Sequence, residues 1–196
     1  MAKPLAAPSA NLFGHVSPTS AVHVAEQLSD SIACVLDGGD CDVGVESTIV
    51  LLTENEEVTI LRFGGVSVQR IEELVGHRVE SRLHSSDKPE APGQLSKHYA
   101  TRKPLSFWDG DAPPTKKGSV LMVVCGAAPA GSDQFERVVV LSEDGDLTTS
   151  AHKLFSTMRQ LDSDDNVLAI FATKCDSKEG LGPAINDRLT RAACQT

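Results

Sequence analysis

The sequence is poor in aromatic residues, in basic charge and in long hydrophobic runs. Aromatic residues make up 4% of its 196 positions, and 18 Lys and Arg stand against 27 Asp and Glu, a net charge of -9. This balance argues against a protein whose main surface grips a nucleic-acid backbone or stacks on bases, although a local patch with weak RNA binding is compatible with it. No apolar run reaches membrane-spanning length and no signal-peptide pattern opens the chain, so we expect a cytoplasmic protein that does not contact a membrane.

The five cysteines are odd in number, widely spread and never spaced as Cys-x-x-Cys. This pattern argues against a zinc site and against a disulfide framework. Cys34, Cys125 and Cys175 lie in or beside apolar runs, which favours buried free thiols. The histidines have no partners at ligand spacing, so we predict no metal held by protein side chains alone.

A loop of small hydroxyl and amide residues followed by a predicted helix opens the chain. Ser17 before Pro18 is typical of a helix N-cap with proline at the first helical position. One face of this helix would carry Val22, Ala25 and Leu28, which recur at spacings of three. Its N-terminus would suit a phosphate, but an ordinary capped helix after a polar turn explains the same pattern. The side chains that could add donors around such an anion are Ser9, Asn11, Ser17 and Thr19.

Three short apolar segments in the first third of the chain predict strands, over residues 32–36, 43–52 and 58–62. The last two are joined by a short acidic connection, which predicts a hairpin. Ser67 then predicts the N-cap of a second helix that Gly76 ends. The inward face of that helix would carry Val68, Ile71, Leu74 and Val75.

The pattern dissolves over residues 77–114, which are rich in Pro, Gly, Ser and charge. A stretch of this length without a period is usually a linker or a functional lid. We favour an ordered loop that covers a site, with a solvated linker as the alternative. Beyond it, strands alternate with helices, which predicts a small open α/β sheet. The predicted strands cover residues 119–125, 137–141 and 167–171, and the helices cover 149–161 and a segment beginning at Pro183.

Three side chains suggest a ligand site by their positions. Arg62 follows a predicted strand and precedes two glycines, and its planar guanidinium suits a phosphate; a surface salt bridge is the alternative. Ser47, in a strand-like segment, faces either a pocket or solvent. Tyr99, the single tyrosine, either stacks on an adenine or packs the loop. No Ser-His-Asp or Cys-His arrangement and no phosphate-binding glycine loop can be assembled, so we assign no catalytic residue.

Five motifs in order along the chain carry a resemblance to a known family. They are PSAN with SPT (residues 8–11 and 17–19), GVESTIV (44–50), ILRFGG (60–65), APGQLSKHY (91–99) and GLGPAINDRL (180–189). Together they resemble the YrdC/Sua5 family of threonylcarbamoyl-AMP synthases, especially the longer Sua5 type with its additional C-terminal domain. The resemblance implies an α/β fold of three regions: an incomplete YrdC-like domain over 1–79, a linker or site-covering loop over 80–116, and a small Rossmann-like domain over 117–196.

The resemblance also implies a reaction. Enzymes of this type form a carbamate from L-threonine and bicarbonate and transfer AMP to it from ATP, with Mg²⁺ accompanying the nucleotide and pyrophosphate leaving. The L-threonylcarbamoyladenylate then passes to a tRNA threonylcarbamoyl transferase, which makes the t6A modification. By resemblance, the residues that contact ATP would be Ser9, Asn11, Ser17, Arg62 and Tyr99, and those that line the L-threonine pocket would be Ala7 and Ser47. The segment around Asn186 would be structural or a docking surface.

Two features depart from the family pattern. Phe63 stands where members usually have proline, which leaves Arg62 in place. The family's Lys-x-Arg motif and threonine-gripping strand are also missing, so we expect part of the triphosphate and threonine grip to lie outside this chain. Two alternatives to the synthase follow: a non-catalytic nucleotide- or RNA-binding remnant, and an interaction module in which only the C-terminal domain is ordered.

Overall fold

The computed structural model describes residues 4, 7–83, 91–93, 95 and 98–194. They form an amino-terminal lobe (residues 7–83), a connecting loop (the described residues between 91 and 104) and a carboxyl-terminal lobe (105–194). The elements of the amino-terminal lobe, in chain order, are α1 (Ala21–Leu28), β1 (Ile49–Leu52), β2 (Val58–Arg62), α2 (Val68–Val75) and β3 (Glu80–Ser81).

The sheet of the amino-terminal lobe has the strand order β1-β2-β3. β1 and β2 are antiparallel, which confirms the predicted hairpin, and β3 lies parallel to β2. β1 begins at Ile49 rather than at residue 43. Residues 44–47 do not pair with β2, because they contact other parts of the molecule. The end of β2 is buried at Ile60, Leu61 and Arg62. The sheet therefore presents Arg62 to the interior rather than to a solvated surface.

α2 confirms the predicted caps. The Ser67 hydroxyl accepts a hydrogen bond from the Arg70 amide, and Gly76 ends the helix in the left-handed conformation at φ 78°. Its predicted inward face is wrong in part, because Leu74 is 71% exposed and Ile71 is the buried residue of this two-turn helix.

α1 begins three residues later than the predicted helix. Its N-cap is Ser20, whose hydroxyl accepts from the His23 amide, and Ser17 instead donates its hydroxyl proton to Glu46. The face that carries Val22, Ala25 and Leu28 is not buried: Val22 is 63% exposed, and α1 contains no buried residue. Ser17 is drawn into the interior by a carboxylate, so it is unavailable as a cap.

The predicted strand over residues 32–36 is also absent from the described structure. Leu36 is 93% exposed and Cys34 is exposed, so the expectation of a buried thiol at Cys34 is wrong. A lone apolar run forms a strand only where a neighbour supplies hydrogen-bond partners, and no strand among the described residues pairs with this one. The prediction of a buried thiol is confirmed for Cys175, while Cys125 is half-buried.

The carboxyl-terminal lobe is a four-stranded, all-parallel sheet of order β4-β7-β5-β6 with two helices. This confirms the predicted α/β class. One strand, β4, lies within residues 80–116, which the sequence predicts to be a linker, and it pairs with β7. β4 has three residues, too few to show a hydrophobic period. The elements are β4 (Leu105–Phe107), β5 (Ser119–Val123), β6 (Arg137–Val140), α3 (Leu147–Ser163), β7 (Ala169–Ala172) and α4 (Gly182–Ala193), with a short 3-10 turn before β6.

The hydrophobic core of the carboxyl-terminal lobe takes in one buried residue of the amino-terminal lobe, Val16, and Val45 packs against it. Val16 and Tyr99 pack into the same buried cluster as Phe155 of α3 and the inner face of α4. Arg159 reinforces this contact by donating to the carbonyls of Val16 and His23, at 3.1 and 3.0 Å. The amino-terminal segment therefore packs against the carboxyl-terminal lobe, and the alternative in which only the C-terminal domain is ordered stays a hypothesis. Within the described residues, no helix is long and apolar enough to cross a bilayer.

Candidate functional site

Two cavities meet where the amino-terminal segment faces the connecting loop and α3. The larger has a volume of about 510 Å³ and lies between residues 8–14 and the loop from Ala91 to His98. The smaller, of about 290 Å³, is lined by residues between Ser9 and Thr19, by Glu46 and by Phe155. Ser9 lines both cavities. The larger volume is typical of a site for a small molecule.

Ser9 and Asn11, which the resemblance predicts to contact ATP, both line the larger cavity. The Asn11 amide nitrogen donates to the carbonyls of Leu12 and His15, at 3.0 and 3.2 Å, which fixes the turn. Asn11 Oδ1 is buried and has no hydrogen-bond partner among the described residues. A buried acceptor without a donor is costly unless water or a ligand satisfies it.

Ser17 lines the smaller cavity and is only 5% exposed. Its hydroxyl donates to Glu46 Oε1 at 2.6 Å. Burial disfavours the Glu46 carboxylate, but the Arg188 charge and the Ser17 hydrogen bond outweigh that effect and lower the pKa of Glu46 below its usual 4.5. Glu46 is therefore ionised near neutral pH and fixes the orientation of Ser17.

Arg62 lies behind the wall of the larger cavity, next to Gly93 and Pro92. Its guanidinium donates to the Ser47 carbonyl at 3.0 and 2.9 Å, to the Ser47 hydroxyl at 3.2 Å and to the Pro92 carbonyl at 3.1 Å. Among the described residues, no carboxylate lies within salt-bridge distance of it. Burial lowers the pKa of Arg62, as expected for a cation that only neutral oxygens hold.

Tyr99 is fully buried, with a left-handed backbone at φ 60°. Its ring stacks on Phe155 at a centroid distance of 5.3 Å, and the Arg188 guanidinium lies over it at 5.3 Å. The ring thus packs the loop and has no face free for an adenine in this structure. Burial raises the pKa of Tyr99 to about 12, and its hydroxyl has no hydrogen-bond partner among the described residues. Contact of that hydroxyl with ATP stays a prediction.

Neither of the two residues predicted for L-threonine lines either cavity. Ser47 is exposed at the start of the hairpin and is held by Arg62. Ala7 is exposed and lines neither cavity. Gly64 brings the Ser47 segment close to β2: a Cβ atom there would lie 2.3 Å from the Glu46 carbonyl oxygen and from the Ser47 carbonyl carbon. The glycine is therefore required for this approach.

A buried ionic cluster from α4 lies behind the site. Arg188 is fully buried, and its Nε donates to Glu46 Oε2 while its Nη1 donates to Asp187, both at 2.9 Å. Asp187 also pairs with Arg191 at 2.9 Å. Although burial disfavours its charge, the neighbouring anionic groups and Tyr99 raise the pKa of Arg188. This confirms the structural role predicted for the segment around Asn186.

Sequence reasoning missed the parts played by Glu46, His98 and Arg191. Glu46 and His98 stand inside quoted motifs, next to residues that were assigned, so their positions were a usable signal. Arg191 shows none for its contact with the connecting loop, because the carbonyls that it binds lie about a hundred positions away in the sequence. Burial is the main cause that lowers the pKa of His98, which keeps this cavity-lining ring neutral near pH 7.

The described residues offer no protein site for a cation. Among them, no group of three or more His, Cys, Asp and Glu side chains could hold a metal ion. Glu46, the carboxylate of the smaller cavity, is already bound to Ser17 and Arg188.

Comparison with known protein families gives two matches along the chain. The profile described as "Threonylcarbamoyl-AMP synthase, C-terminal domain" matches residues 66–194, and the profile named for Sua5, YciO and YrdC, described as "Telomere recombination", matches residues 1–64. These two matches meet near the end of β2. The three-region division predicted from the sequence, with its boundaries at 79 and 116, stays a prediction.

Curated relatives are named threonylcarbamoyl-AMP synthase. The chain is 35% identical to the protein of Pyrococcus abyssi over 205 residues, which cover 97% of this chain and 58% of the relative. It is 33% identical to the Bacillus subtilis protein over 200 residues, with coverage of 97% and 57%. The chain thus spans somewhat more than half the length of these relatives.

Solved structures of P. abyssi Sua5 are similar in fold. The complex with L-threonine has a TM-score of 0.77 at 29% identity, over 95% of this chain and 56% of the other. A variant of the same protein with a neighbouring histidine and tyrosine both changed to alanine has a TM-score of 0.75 at 30% identity. Sequence profile, curated relatives and fold agree, and this chain belongs to the threonylcarbamoyl-AMP synthase family.

Proposed function

We propose that this chain binds MgATP at the two adjoining cavities and L-threonine beside them, next to Ser47, as part of a synthase that makes L-threonylcarbamoyladenylate from L-threonine, bicarbonate and ATP. The observation that carries the proposal is Arg62. It is a buried cation held by neutral oxygens, directly behind the wall of a cavity large enough for a nucleotide. A buried guanidinium without an anionic partner is costly, and a phosphate would satisfy it.

The polar atoms around the cavities suit such a ligand. Asn11 Oδ1 and the Tyr99 hydroxyl are buried without partners among the described residues, and the neutral His98 ring lines the larger cavity. The printed title of the P. abyssi structure names L-threonine as its ligand. The histidine–tyrosine pair changed in the P. abyssi variant has one counterpart by type here, His98-Tyr99, because the chain contains a single tyrosine.

The proposed chemistry transfers AMP from ATP. The threonine nitrogen bonds to the carbon of bicarbonate with loss of water, giving a carbamate. A carbamate oxygen then attacks the α-phosphorus, the bond from that phosphorus to the bridging oxygen breaks, and pyrophosphate leaves with its Mg²⁺. Negative charge on the phosphates is neutralised by Arg62, while Ser9 orients them through a hydrogen bond; Ser17 can donate to a phosphate only by giving up its bond to Glu46. The product goes to a tRNA threonylcarbamoyl transferase, which we expect in the cytoplasm.

Pyrophosphate release tests this function directly. The 196-residue chain is supplied with ATP, Mg²⁺, L-threonine and bicarbonate, and each component is omitted in turn. Release that requires every component supports the synthase, and a fall on Arg62→Met supports the site. Binding of ATP without any threonine-dependent release would favour the nucleotide-binding remnant instead. Tighter binding of RNA than of ATP would favour the RNA-binding alternative and contradict the proposal.

A further inference from the structure

We infer that Arg188 and Arg191 of α4 are positioning residues that hold two walls of the candidate site, one in each cavity, at a fixed separation. The inference concerns the carboxyl-terminal lobe, to which the proposed chemistry assigns no contact with substrate. Both arginines are buried, with exposures of 0% and 3%. Each reaches out of α4 to a different wall.

Arg188 holds the wall formed by the amino-terminal segment. Its Nε donates to Glu46 Oε2 at 2.9 Å, and the other oxygen of the same carboxylate accepts the Ser17 hydroxyl at 2.6 Å. Ser17 and Glu46 both line the smaller cavity. Two bonds therefore connect α4 to the Ser17 side chain on the wall of the smaller cavity.

Arg191 holds the wall formed by the connecting loop. Its Nη1 donates to the Leu95 carbonyl at 2.6 Å, and its Nη2 donates to the Leu83 carbonyl at 3.0 Å. Leu95 lines the larger cavity. Two backbone carbonyls that are distant from Arg191 in the sequence thus bind to its single guanidinium. The five donors and the planar shape of this group allow both contacts.

Asp187 makes the two arginines a single unit. Its carboxylate accepts from Arg188 Nη1 at 2.9 Å and from Arg191 Nε at 3.0 Å, one bond to each oxygen. Both walls are therefore bonded to the same turn of α4. Ile185 and Leu189 of this helix are buried in the core and fix its position. An apolar contact would join the lobes with less desolvation than these buried charges, and it would not fix the position of a hydroxyl or a carbonyl.

Hydrogen exchange of the full chain without ligand tests the clamp independently of the reaction. Arg191→Met leaves Asp187 paired with Arg188, and we expect exchange in peptides covering residues 91–99 to rise about tenfold. The double variant Glu46→Gln/Arg188→Met avoids an unpaired carboxylate, and we expect the same rise over residues 9–19. Strand β5 should exchange as before in both. Ile185→Val, a core change in the same helix, is the matched control and should alter neither wall selectively.

A conservative variant and a binding measurement complete the test. Arg191→Lys keeps the charge beside Asp187 but cannot serve two carbonyls, so its loop exchange should be intermediate. MgATP affinity should fall about fivefold or more in Arg191→Met and in the double variant, and not in Ile185→Val. This last arm rests on the proposed function. Wild-type chain that binds no ATP would overturn that function, whereas unchanged exchange at both walls, or equal change in Ile185→Val, would overturn the clamp.

Discussion

Arg62 holds Ser47 through three hydrogen bonds, two to its carbonyl oxygen and one to its hydroxyl. One of these residues is proposed to neutralise ATP and the other to line the L-threonine pocket. The same guanidinium also binds the Pro92 carbonyl of the connecting loop. The two subsites and the loop are therefore coupled through a single side chain.

Ser47→Ala separates the two subsites. The carbonyl still accepts both of its bonds from Arg62, so MgATP affinity should stay unchanged. L-Threonine affinity should fall about two- to tenfold, the value of one hydrogen bond. Titration calorimetry with each ligand measures both, and Ser106→Ala, an exposed serine on β4, is the control. Equal losses for the two ligands would show that Ser47 acts on the frame of the site rather than on threonine.

Glu46 should make stability depend on pH in the acidic range. Its pKa is lowered in the folded protein, so its contribution is full above the unfolded value near 4.5 and disappears as pH falls through the folded value. The difference in Tm between the wild type and Glu46→Gln should therefore be largest above about pH 5 and shrink at lower pH. Thermal melts from neutral to acidic pH measure it. A difference that stays constant with pH would contradict the assigned ion pair with Arg188.

Gly64→Ala should destabilise the protein by about 1–3 kcal/mol, because the new Cβ meets backbone rather than a movable side chain. Chemical denaturation measures the free energy of unfolding. Gly38→Ala is the matched control, since a Cβ there has no atom within 4 Å. Two variants of equal stability would mean that the close approach between β2 and the Ser47 segment does not exist in solution.

Tyr99→Phe distinguishes packing from binding. The ring contacts with Phe155 remain, and a buried hydroxyl without a partner among the described residues is removed, so the free energy of unfolding should be unchanged or higher. If the hydroxyl contacts ATP, affinity for MgATP falls all the same. A clear loss of stability, seen in the same denaturation assay, would mean that the hydroxyl has a partner in solution.

The carboxyl-terminal lobe was predictable from the sequence because its signals are local. Ile185, Leu189 and Ala192 recur at helical spacing and are all fully buried, and the apolar runs of β5, β6 and β7 are continuous. The hairpin and the caps of α2 were predictable for the same reason. β4 was not predicted, because a strand of three residues is too short to show a hydrophobic period.

The amino-terminal segment was predicted less well because its conformation depends on distant partners. Ser17 has the local features of a helix N-cap, yet its hydroxyl donates a hydrogen bond to Glu46, 29 positions away. Leu36 ends an apolar run that no described strand pairs with. The candidate site itself came from resemblance, while the packed state of Tyr99 and the reach of Arg191 became visible only with the fold.

The most direct test of the account is the affinity of the 196-residue chain for MgATP, compared between the wild type, Arg62→Met and Arg70→Met. Arg70 is the matched control, an exposed arginine on α2 whose partner is Glu73. We expect the wild type to bind, Arg62→Met to lose about tenfold or more, with a smaller loss for L-threonine, and Arg70→Met to bind as the wild type does. Equal affinities for all three proteins, or no binding by the wild type, would contradict the claim that Arg62 serves a nucleotide phosphate.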